Sequence, residues 1–222
     1  KKIMQAVFDG DGVNAKKCDE VKDIVITEVA ANLDKIKGMS ELRIYDKYTF
    51  SHTINVCSLS TALGMILGLE EEYLNELSLG ALLHDIGKLL VPKEILLKPG
   101  KLDENEFEIM KKHTTMGYDY LKQNTDVPEQ VANVALSHQE RYGGGGYPNK
   151  QKANEIHYYA QIAAIVDVYD ALLSDRVYKK GMENPEVLRI LLAEGSKSFN
   201  PVMLYKFVYM ANYREGKKIV ES

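Results

Sequence analysis

Apolar residues recur at three- and four-residue spacing through almost the whole chain, and this periodicity restricts the fold more than any other feature. Proline, which interrupts helices, occurs only 6 times in 222 residues, and alternating runs of β-branched residues are rare. A chain of this length can bury a sizeable core in one large domain. The sequence therefore predicts an all-α protein with additional C-terminal helices, and strands are a minor possibility.

The chain divides into three predicted segments. Residues 1–45 contain a turn signal at Asp9–Gly12 and apolar residues at helical spacing from Val21 to Ile36, which indicates an N-terminal helical linker. This linker could pack on the bundle, pair with a second copy of the chain, or connect to an upstream sensor domain. Histidine, aspartate and glycine become denser after it, so we place the main domain at residues 46–215 and a tail at 216–222.

Capping residues and breakers mark the helices of the main domain. One helix carries His52 and stops at Gly68, and a second carries His84 and Lys88 in one stripe before Pro92 ends it. A third begins with a capping box of Asp103 and Glu106 and runs through His113. Further helices carry His138 and then Asp167, and Asn200 caps a last helix that starts at Pro201.

Charge and composition exclude several classes of function. Lys and Arg number 28 and Asp and Glu 32, so a formal charge of -4 argues against binding DNA through bulk charge. No apolar run approaches the roughly 20 residues of a membrane span, and the start does not have the pattern of a signal peptide. The two cysteines, Cys18 and Cys57, form no CxxC pair. A soluble cytoplasmic protein is therefore expected.

Histidines and carboxylates interrupt the apolar faces of several predicted helices. A single histidine on such a face is more often a hydrogen-bonded core residue than a metal ligand. Several of them directed toward one core would be costly to bury without a compensating cation. The residues concerned are His52, His84, His113, His138 and Asp167.

The adjacent pair of His84 and Asp85 suggests more than one cation, because neighbouring side chains near a helix end can reach one point and a carboxylate can bridge. Nitrogen and oxygen donors without thiolate favour iron, manganese, nickel or zinc. Paired cations roughly 3.5–4 Å apart activate water and stabilise the charge that develops during attack on a phosphodiester. The residues therefore predict phosphoester hydrolysis.

Several motifs resemble those of HD-GYP domains, a family of HD metal-dependent phosphohydrolases. The chain has His84-Asp85 followed by Ile86, Gly87 and Lys88, and later Gly146-Tyr147-Pro148. The similarity extends from about residue 46 to residue 210, and its further matching positions are Lys98 to Leu102, His113, His138, Glu140, Arg141, Asp167, Asp170 to Leu172, Ser174 to Arg176 and Tyr178. The resemblance implies a helical bundle that hydrolyses cyclic di-GMP to linear pGpG, and in some members on to GMP.

The resemblance also implies a role for each matching residue. One metal would be bound by His52, His84, Asp85 and Asp167, and a second by Asp85, His113 and His138, with iron or manganese favoured. Asp85 bridges the two metals and, with Lys88, is the predicted catalytic pair. The predicted substrate contacts are Lys88, Tyr147, Asp170, Arg176 and Lys179.

The chain departs from the family pattern at three places. Gln139 follows His138 where the family usually has a second histidine, which removes an expected ligand of the second metal. Tyr48 occupies the position of a glutamate that supports a third metal in some members, so two metals are the upper expectation. The four glycines at 143–146 would allow the loop to close as a lid and its N–H groups to cradle a phosphate, and an ordinary surface loop is the alternative.

These departures leave three functions open. The first is an active cyclic di-GMP phosphodiesterase. The second is a degenerate member that senses a nucleotide or binds a partner protein without turnover, which Gln139 favours. The third is a hydrolase of a related messenger such as a mixed cyclic GMP-AMP.

Overall fold

The computed structural model describes residues 47–174 and 180–220, together with the strand residues 8, 9, 12 and 13. Side chains are described for residues 52–174 and 180–211. The predicted N-terminal linker helix, Arg176 and Lys179 lie outside the described residues.

The main body is helical, which confirms the predicted fold class. The α-helices are α1 (Lys47–Ile66), α2 (Glu71–Leu83), α3 (Lys93–Leu96), α4 (Glu104–Lys111), α5 (His113–Asn124), α6 (Glu129–Ser137), α7 (Tyr158–Leu173), α8 (Asn184–Ser198) and α9 (Pro201–Val220). Two short 3-10 helices, Ile86–Leu90 and Ala153–Glu155, follow α2 and precede α7. Strands β1 (Phe8–Asp9) and β2 (Gly12–Val13) pair antiparallel with Asp9 opposite Gly12, across the predicted turn.

Several predicted helix ends are confirmed. Helix α1 ends at Ile66, just before Gly68. The capping box of α4 is present, because Glu106 N–H donates to Asp103 Oδ1 at 2.9 Å and Asp103 N–H donates to Glu106 Oε2 at 2.8 Å. Asn200 Oδ1 accepts from the N–H of Val202 at 3.1 Å and so caps α9. That helix continues to Val220, beyond the predicted start of the tail at residue 216.

Two helices are shorter in the structure than the sequence predicted. Helix α2 ends at Leu83, so Lys88 lies on the separate 3-10 helix and not on the same helix as His84. The predicted helix through His113 is broken at Lys112, and His113 is the first residue of α5.

A close backbone crossing accompanies the first of these breaks. A Cβ atom on Gly87 would lie 1.9 Å from the carbonyl oxygen of His113 and 2.5 Å from the backbone nitrogen of Gly117. Only glycine permits this approach. The crossing fixes the distance between the His84-Asp85 segment and the start of α5.

Two clusters of buried apolar side chains hold the helices together. The larger one joins α1, α2, α7, α8 and α9 through residues such as Leu63, Leu77, Ile162 and Phe207. The smaller one joins α1, α2, α5 and α6 through residues such as Leu82, Leu121 and Val131. Helix α2 contacts both α1 and α6 and contributes residues to both clusters.

Candidate metal centre

Six side chains from five helical segments come together in one cluster of potential metal ligands. His52 comes from α1, His84 and Asp85 directly follow α2, His113 begins α5, His138 directly follows α6, and Asp167 lies on α7. His84 is 0% exposed, and the side chain of Asp167, the most accessible of the six, is 13% exposed. The structure thus brings together all six residues that the sequence predicted as metal ligands.

Asp85 occupies the middle of this cluster. Its Oδ2 is 3.2 Å from His84 Nε2, and its Oδ1 is 3.4 Å from His113 Nε2 and 3.6 Å from His138 Nε2. Because the two oxygens face different imidazoles, the carboxylate has the geometry of a bridge between two cation positions.

Asp167 and His52 form the other side of the cluster. Asp167 Oδ1 is 3.1 Å from His52 Nε2 and 3.9 Å from His84 Nε2. Among the residues that the structure describes, donor atoms within 4.8 Å of one another occur in three overlapping groups. These groups are His52, His84 and Asp85; His84, His138 and Asp167; and Asp85, His113 and His138.

Main-chain carbonyls orient three of the four imidazoles. His84 Nδ1 is 2.7 Å from the oxygen of Ala81, and His113 Nδ1 is 2.7 Å from the oxygen of Met110. His138 Nδ1 lies 3.0 Å from the oxygen of Ala135. A carbonyl can only accept, so Nδ1 carries the hydrogen and Nε2 presents its lone pair to the centre of the cluster.

The Nε2 atoms of His113 and His138 then face each other as two lone pairs at 3.3 Å. Within the described part of the chain, His84 Nε2 and Asp85 Oδ1 are also buried without a hydrogen-bond partner. Such groups destabilise a fold by about 1–3 kcal/mol each. Divalent cations held in the overlapping donor groups would satisfy these acceptors, so the residues fit such metal ions.

The charges of the cluster differ from one residue to the next. Burial lowers the pKa of His113 to about 4, helped by His138 and Lys88, so this imidazole is neutral near pH 7. Burial opposes the charge of Asp85, but Lys88 and His84 hold the pKa of its carboxyl well below the usual range. For His52, burial is outweighed by Asp167 and Asp170, which raise the pKa to about 9. Near pH 7 the site therefore presents ionised carboxylates, a neutral His113 and a protonated His52, whose proton a bound cation would displace.

The loop after α6 brings Tyr147 beside the cluster. Its ring meets the His113 ring edge-on at 6.3 Å between centroids and the Phe107 ring at the same distance. Lys111 Nζ lies 5.5 Å from the centroid of Phe107 and 5.8 Å from that of Tyr147. Phe107 is 47% exposed, so an aromatic surface extends from His113 toward solvent.

Backbone contacts fix the position of Tyr147. Its N–H donates to the carbonyl of Gln139 at 3.2 Å, and a Cβ on Gly146 would lie 2.5 Å from the Cα of Glu140. The buried carboxylate of Glu140 accepts from the N–H groups of Asn149 at 2.7 Å and Gln151 at 3.1 Å. Glycine at 146 thus lets the loop fold back closely against the end of α6.

A family model described as HD domain matches residues 24–202 of the chain. The chain belongs to the HD domain family. The HD-GYP assignment made from the sequence motifs is confirmed within that family.

Three curated relatives of this HD domain are phosphodiesterases by name. "Cyclic di-GMP phosphodiesterase PA4108" of Pseudomonas aeruginosa is 36% identical over 90% of this chain and 48% of its own length. A "Cyclic di-GMP phosphodiesterase" of Thermotoga maritima is 38% identical over 79% of this chain and 48% of its own. A "3'3'-cGAMP-specific phosphodiesterase 2" of Vibrio cholerae is 35% identical over 70% of this chain and 30% of its own. The chain therefore spans about half, or less, of the length of these relatives.

A solved structure has the same fold. The HDG"Y"P protein Bd1817 of Bdellovibrio bacteriovorus superposes with a TM-score of 0.64 at 20% identity, covering 95% of this chain and 68% of that one.

The other predicted site residues of the HD domain lie at different depths. Lys88 Nζ forms an ion pair with Asp85 Oδ2 while its side chain remains 29% exposed. Asp170, predicted as a substrate contact, is only 4% exposed, and its carboxylate accepts from His52 Nδ1 at 2.7 Å and Asn55 Nδ2 at 2.9 Å. Through these contacts Asp170 orients the His52 imidazole, and its predicted contact with substrate stays a prediction.

The glycine loop also differs from the expected phosphate cradle. The N–H groups of Gly143 and Gly144 already donate to the carbonyls of Lys197 at 3.0 Å and Arg141 at 2.7 Å. These two donors are therefore committed within the protein.

The sequence reasoning gave no role to Asn55, Phe107 or Lys111. Asn55 follows His52 by three residues, so helical spacing alone places it on the same side of α1. The capping box had located the helix of Phe107 and Lys111, but nothing local connected that helix to the Tyr147 loop.

Proposed function

We propose that this HD domain is a metal-dependent phosphodiesterase that hydrolyses cyclic di-GMP to linear pGpG. The observation that carries the proposal is the Asp85 carboxylate, whose two oxygens face separate sets of imidazoles. The names of the relatives support the substrate class. In the proposed site, His52, His84, Asp85 and Asp167 hold one divalent cation, and Asp85, His113 and His138 hold the second.

The bound cations, with iron or manganese favoured over nickel or zinc, would activate a water molecule and neutralise the charge of the attacked phosphate. Asp85 stays ionised because its pKa lies well below the usual range, so it remains a bridging ligand near pH 7. Lys88 is held by this carboxylate with part of its side chain open to solvent. Its ammonium group is therefore placed to contact a phosphate oxygen of the substrate.

Tyr147 and Phe107 are proposed to contact a base of the substrate. Burial, with the charges of Asp85 and Asp167, raises the pKa of Tyr147, so its phenol stays protonated and can donate a hydrogen bond. Phe107 offers an exposed ring face next to it, and bases stack on aromatic side chains with little sequence preference. Arg176 and Lys179 remain proposed contacts on the basis of the family resemblance alone.

The retained cluster argues against a degenerate domain. A module that only senses a nucleotide or binds a protein has no physical need for buried, partnerless acceptors such as His84 Nε2 and Asp85 Oδ1. Hydrolysis of a mixed cyclic GMP-AMP is the second candidate, because the Vibrio cholerae relative named for that substrate is 35% identical over 70% of the chain.

The remaining proposals concern the setting of the domain. Within the described residues, no helix is long and apolar enough to cross a membrane. We propose the cytoplasm as the location of the domain. Residues 1–45 are the proposed connection to a second copy or to an upstream sensor domain.

Chromatography of the reaction products tests the activity. Anaerobically purified protein is incubated with ferrous or manganous ion and with either cyclic di-GMP or 3'3'-cGAMP, and metal content is measured on the same sample. We expect pGpG from cyclic di-GMP and loss of both turnover and metal in Asp85→Ala. The matched control is Asp126→Ala, which changes an exposed aspartate and should behave as wild type.

Two results would contradict the proposal. Normal turnover by Asp85→Ala would refute the metal mechanism. Bound metal in the wild type without any product from either nucleotide would favour a sensing or scaffold role.

A further inference from the structure

Gln139 directly follows His138, at the position where a second histidine was expected. Its half-buried side chain reaches Asp167, and its amide Nε2 donates a hydrogen bond to Asp167 Oδ2 at 3.0 Å. The nitrogen must be the atom that faces the carboxylate, because an amide oxygen in that place would be repelled. The amide is thus engaged with a predicted ligand on the His52 side of the cluster.

This hydrogen bond makes the two oxygens of Asp167 unequal. Oδ2 is occupied by Gln139, while Oδ1 faces His52 Nε2 at 3.1 Å and His84 Nε2 at 3.9 Å. Hydrogen bonds from outer residues orient metal-binding carboxylates and change metal affinity. Asp167 therefore offers one defined oxygen to a cation held with His52 and His84.

We propose that Gln139 is a positioning residue for Asp167 and that it is not a ligand of the cation at Asp85, His113 and His138. This role rests on the proposed metal site. In consequence the two cation positions differ in strength. The first has four protein ligands, two of them carboxylates, whereas the second has three ligands and shares its only carboxylate.

The backbone of Gln139 has a separate function that the side chain does not affect. Its carbonyl accepts the N–H of Tyr147 at 3.2 Å. A side-chain substitution at residue 139 leaves this backbone bond available. Effects of such a substitution on metal binding can therefore be separated from effects on the Tyr147 loop.

Manganese titration of metal-free protein tests the proposal. Isothermal calorimetry and the spin resonance of bound Mn²⁺ should resolve two binding steps in the wild type. The His52→Ala and His113→Ala variants assign the steps, because each removes a ligand of only one cation position. Gln139→Met has nearly the same length without the donor, and Gln130→Met makes the same change at an exposed position of α6.

We expect Gln139→Met to lower the Mn²⁺ affinity about 10-fold at the binding step that His52→Ala removes. The Mn²⁺ affinity at the step that His113→Ala removes should stay within about 2-fold of the wild-type value. Gln130→Met should match the wild type at both steps. Unchanged affinity at the His52-dependent step, or a loss confined to the His113-dependent step, would overturn the proposal.

Two further measurements keep the test decisive. Circular dichroism verifies that Gln139→Met is folded, and Gln139→Leu repeats the titration with a different apolar shape if it is not. A wild-type protein that takes up no Mn²⁺ at all would refute the metal site together with the role of Gln139. Normal uptake by the wild type with equal affinities in Gln139→Met would refute only the role of Gln139.

Discussion

Substitution of Gly87 by alanine should disrupt the proposed second cation position by displacing the backbone at His113. The new Cβ would lie 1.9 Å from the carbonyl oxygen of His113, whereas real Cβ atoms essentially never approach another atom within 3.0 Å. Relief of this clash requires α5 to retreat by the difference between these two distances, which is about 1 Å. The neighbouring atoms are backbone and cannot rotate away.

The effect on the site follows from the distances around His113. Its Nε2 lies 3.4 Å from Asp85 Oδ1 and 3.3 Å from His138 Nε2. Metal–ligand distances tolerate changes of only about 0.2 Å, so a 1 Å retreat of His113 removes it from the shared position. We expect Gly87→Ala to lose the second cation and, through overpacking, about 1–3 kcal/mol of unfolding free energy. For a chain of this size the Tm should fall by roughly 2–12 °C.

Gly117→Ala provides the control from the other side of the same crossing. Its Cβ would lie 3.1 Å from the Gly87 nitrogen and 3.4 Å from the Gly87 Cα, which needs only small adjustments. The loss of glycine from the interior of α5 also favours the helix by up to about 1 kcal/mol. Mn²⁺ stoichiometry and thermal unfolding are measured for both variants. Wild-type stoichiometry and Tm in Gly87→Ala would refute the crossing as the element that places His113.

Four further outcomes are expected. Phe107→Ala should raise KM for cyclic di-GMP about 10-fold and change kcat by less than about 2-fold, since stacking contributes about 1–3 kcal/mol per base. The control is Tyr205→Ala, which changes an exposed tyrosine. An equal KM in both variants would exclude stacking on Phe107. Asp170→Asn should weaken Mn²⁺ binding about 10-fold in titration by removing the negative charge at His52 Nδ1, and exposed Asp126→Asn should not. When the free metal concentration is about 100 times Kd, removal of the metal with a chelator should lower the Tm in calorimetry by roughly 5–10 °C. An unchanged Tm would argue against bound metal. In a Cys18→Ser variant, Cys57 should not react with a disulfide reagent at pH 8 until the protein unfolds, because burial raises the pKa of its thiol to about 12. Rapid reaction of the folded protein would contradict this burial.

The sequence predicted the fold and the members of the cluster, because both depend on which side of a helix a residue occupies. His52 and His138 interrupt apolar stripes that are visible as a three- to four-residue period. The end of α2 could not be predicted in this way. Over a few residues, α and 3-10 helices have nearly the same pattern, and the crossing at Gly87 depends on Gly117, 30 positions along the chain.

The distinct roles of the carboxylates on α7 could not be predicted for a similar reason. Asp167 and Asp170 are three residues apart and share a side of α7. Only the contacts reveal that Asp167 faces His84, while Asp170 is enclosed by His52 and Asn55. The contact of Gln139 with Asp167, which spans 28 positions, likewise carries no local signal.

The two halves of the cluster differ in how much of the chain must fold before they exist. His113 and His138 are separated by only 25 positions, whereas the contact between His52 and Asp170 spans 118. The ligands of the proposed second position all lie within residues 85–138, whereas the proposed first position also needs His52 on α1 and Asp167 on α7. During synthesis from the N-terminus, all ligands of the second position leave the ribosome before Asp167, the last ligand of the first position. The proposed two-cation geometry therefore exists only once the ligands from both ends of the domain have come together.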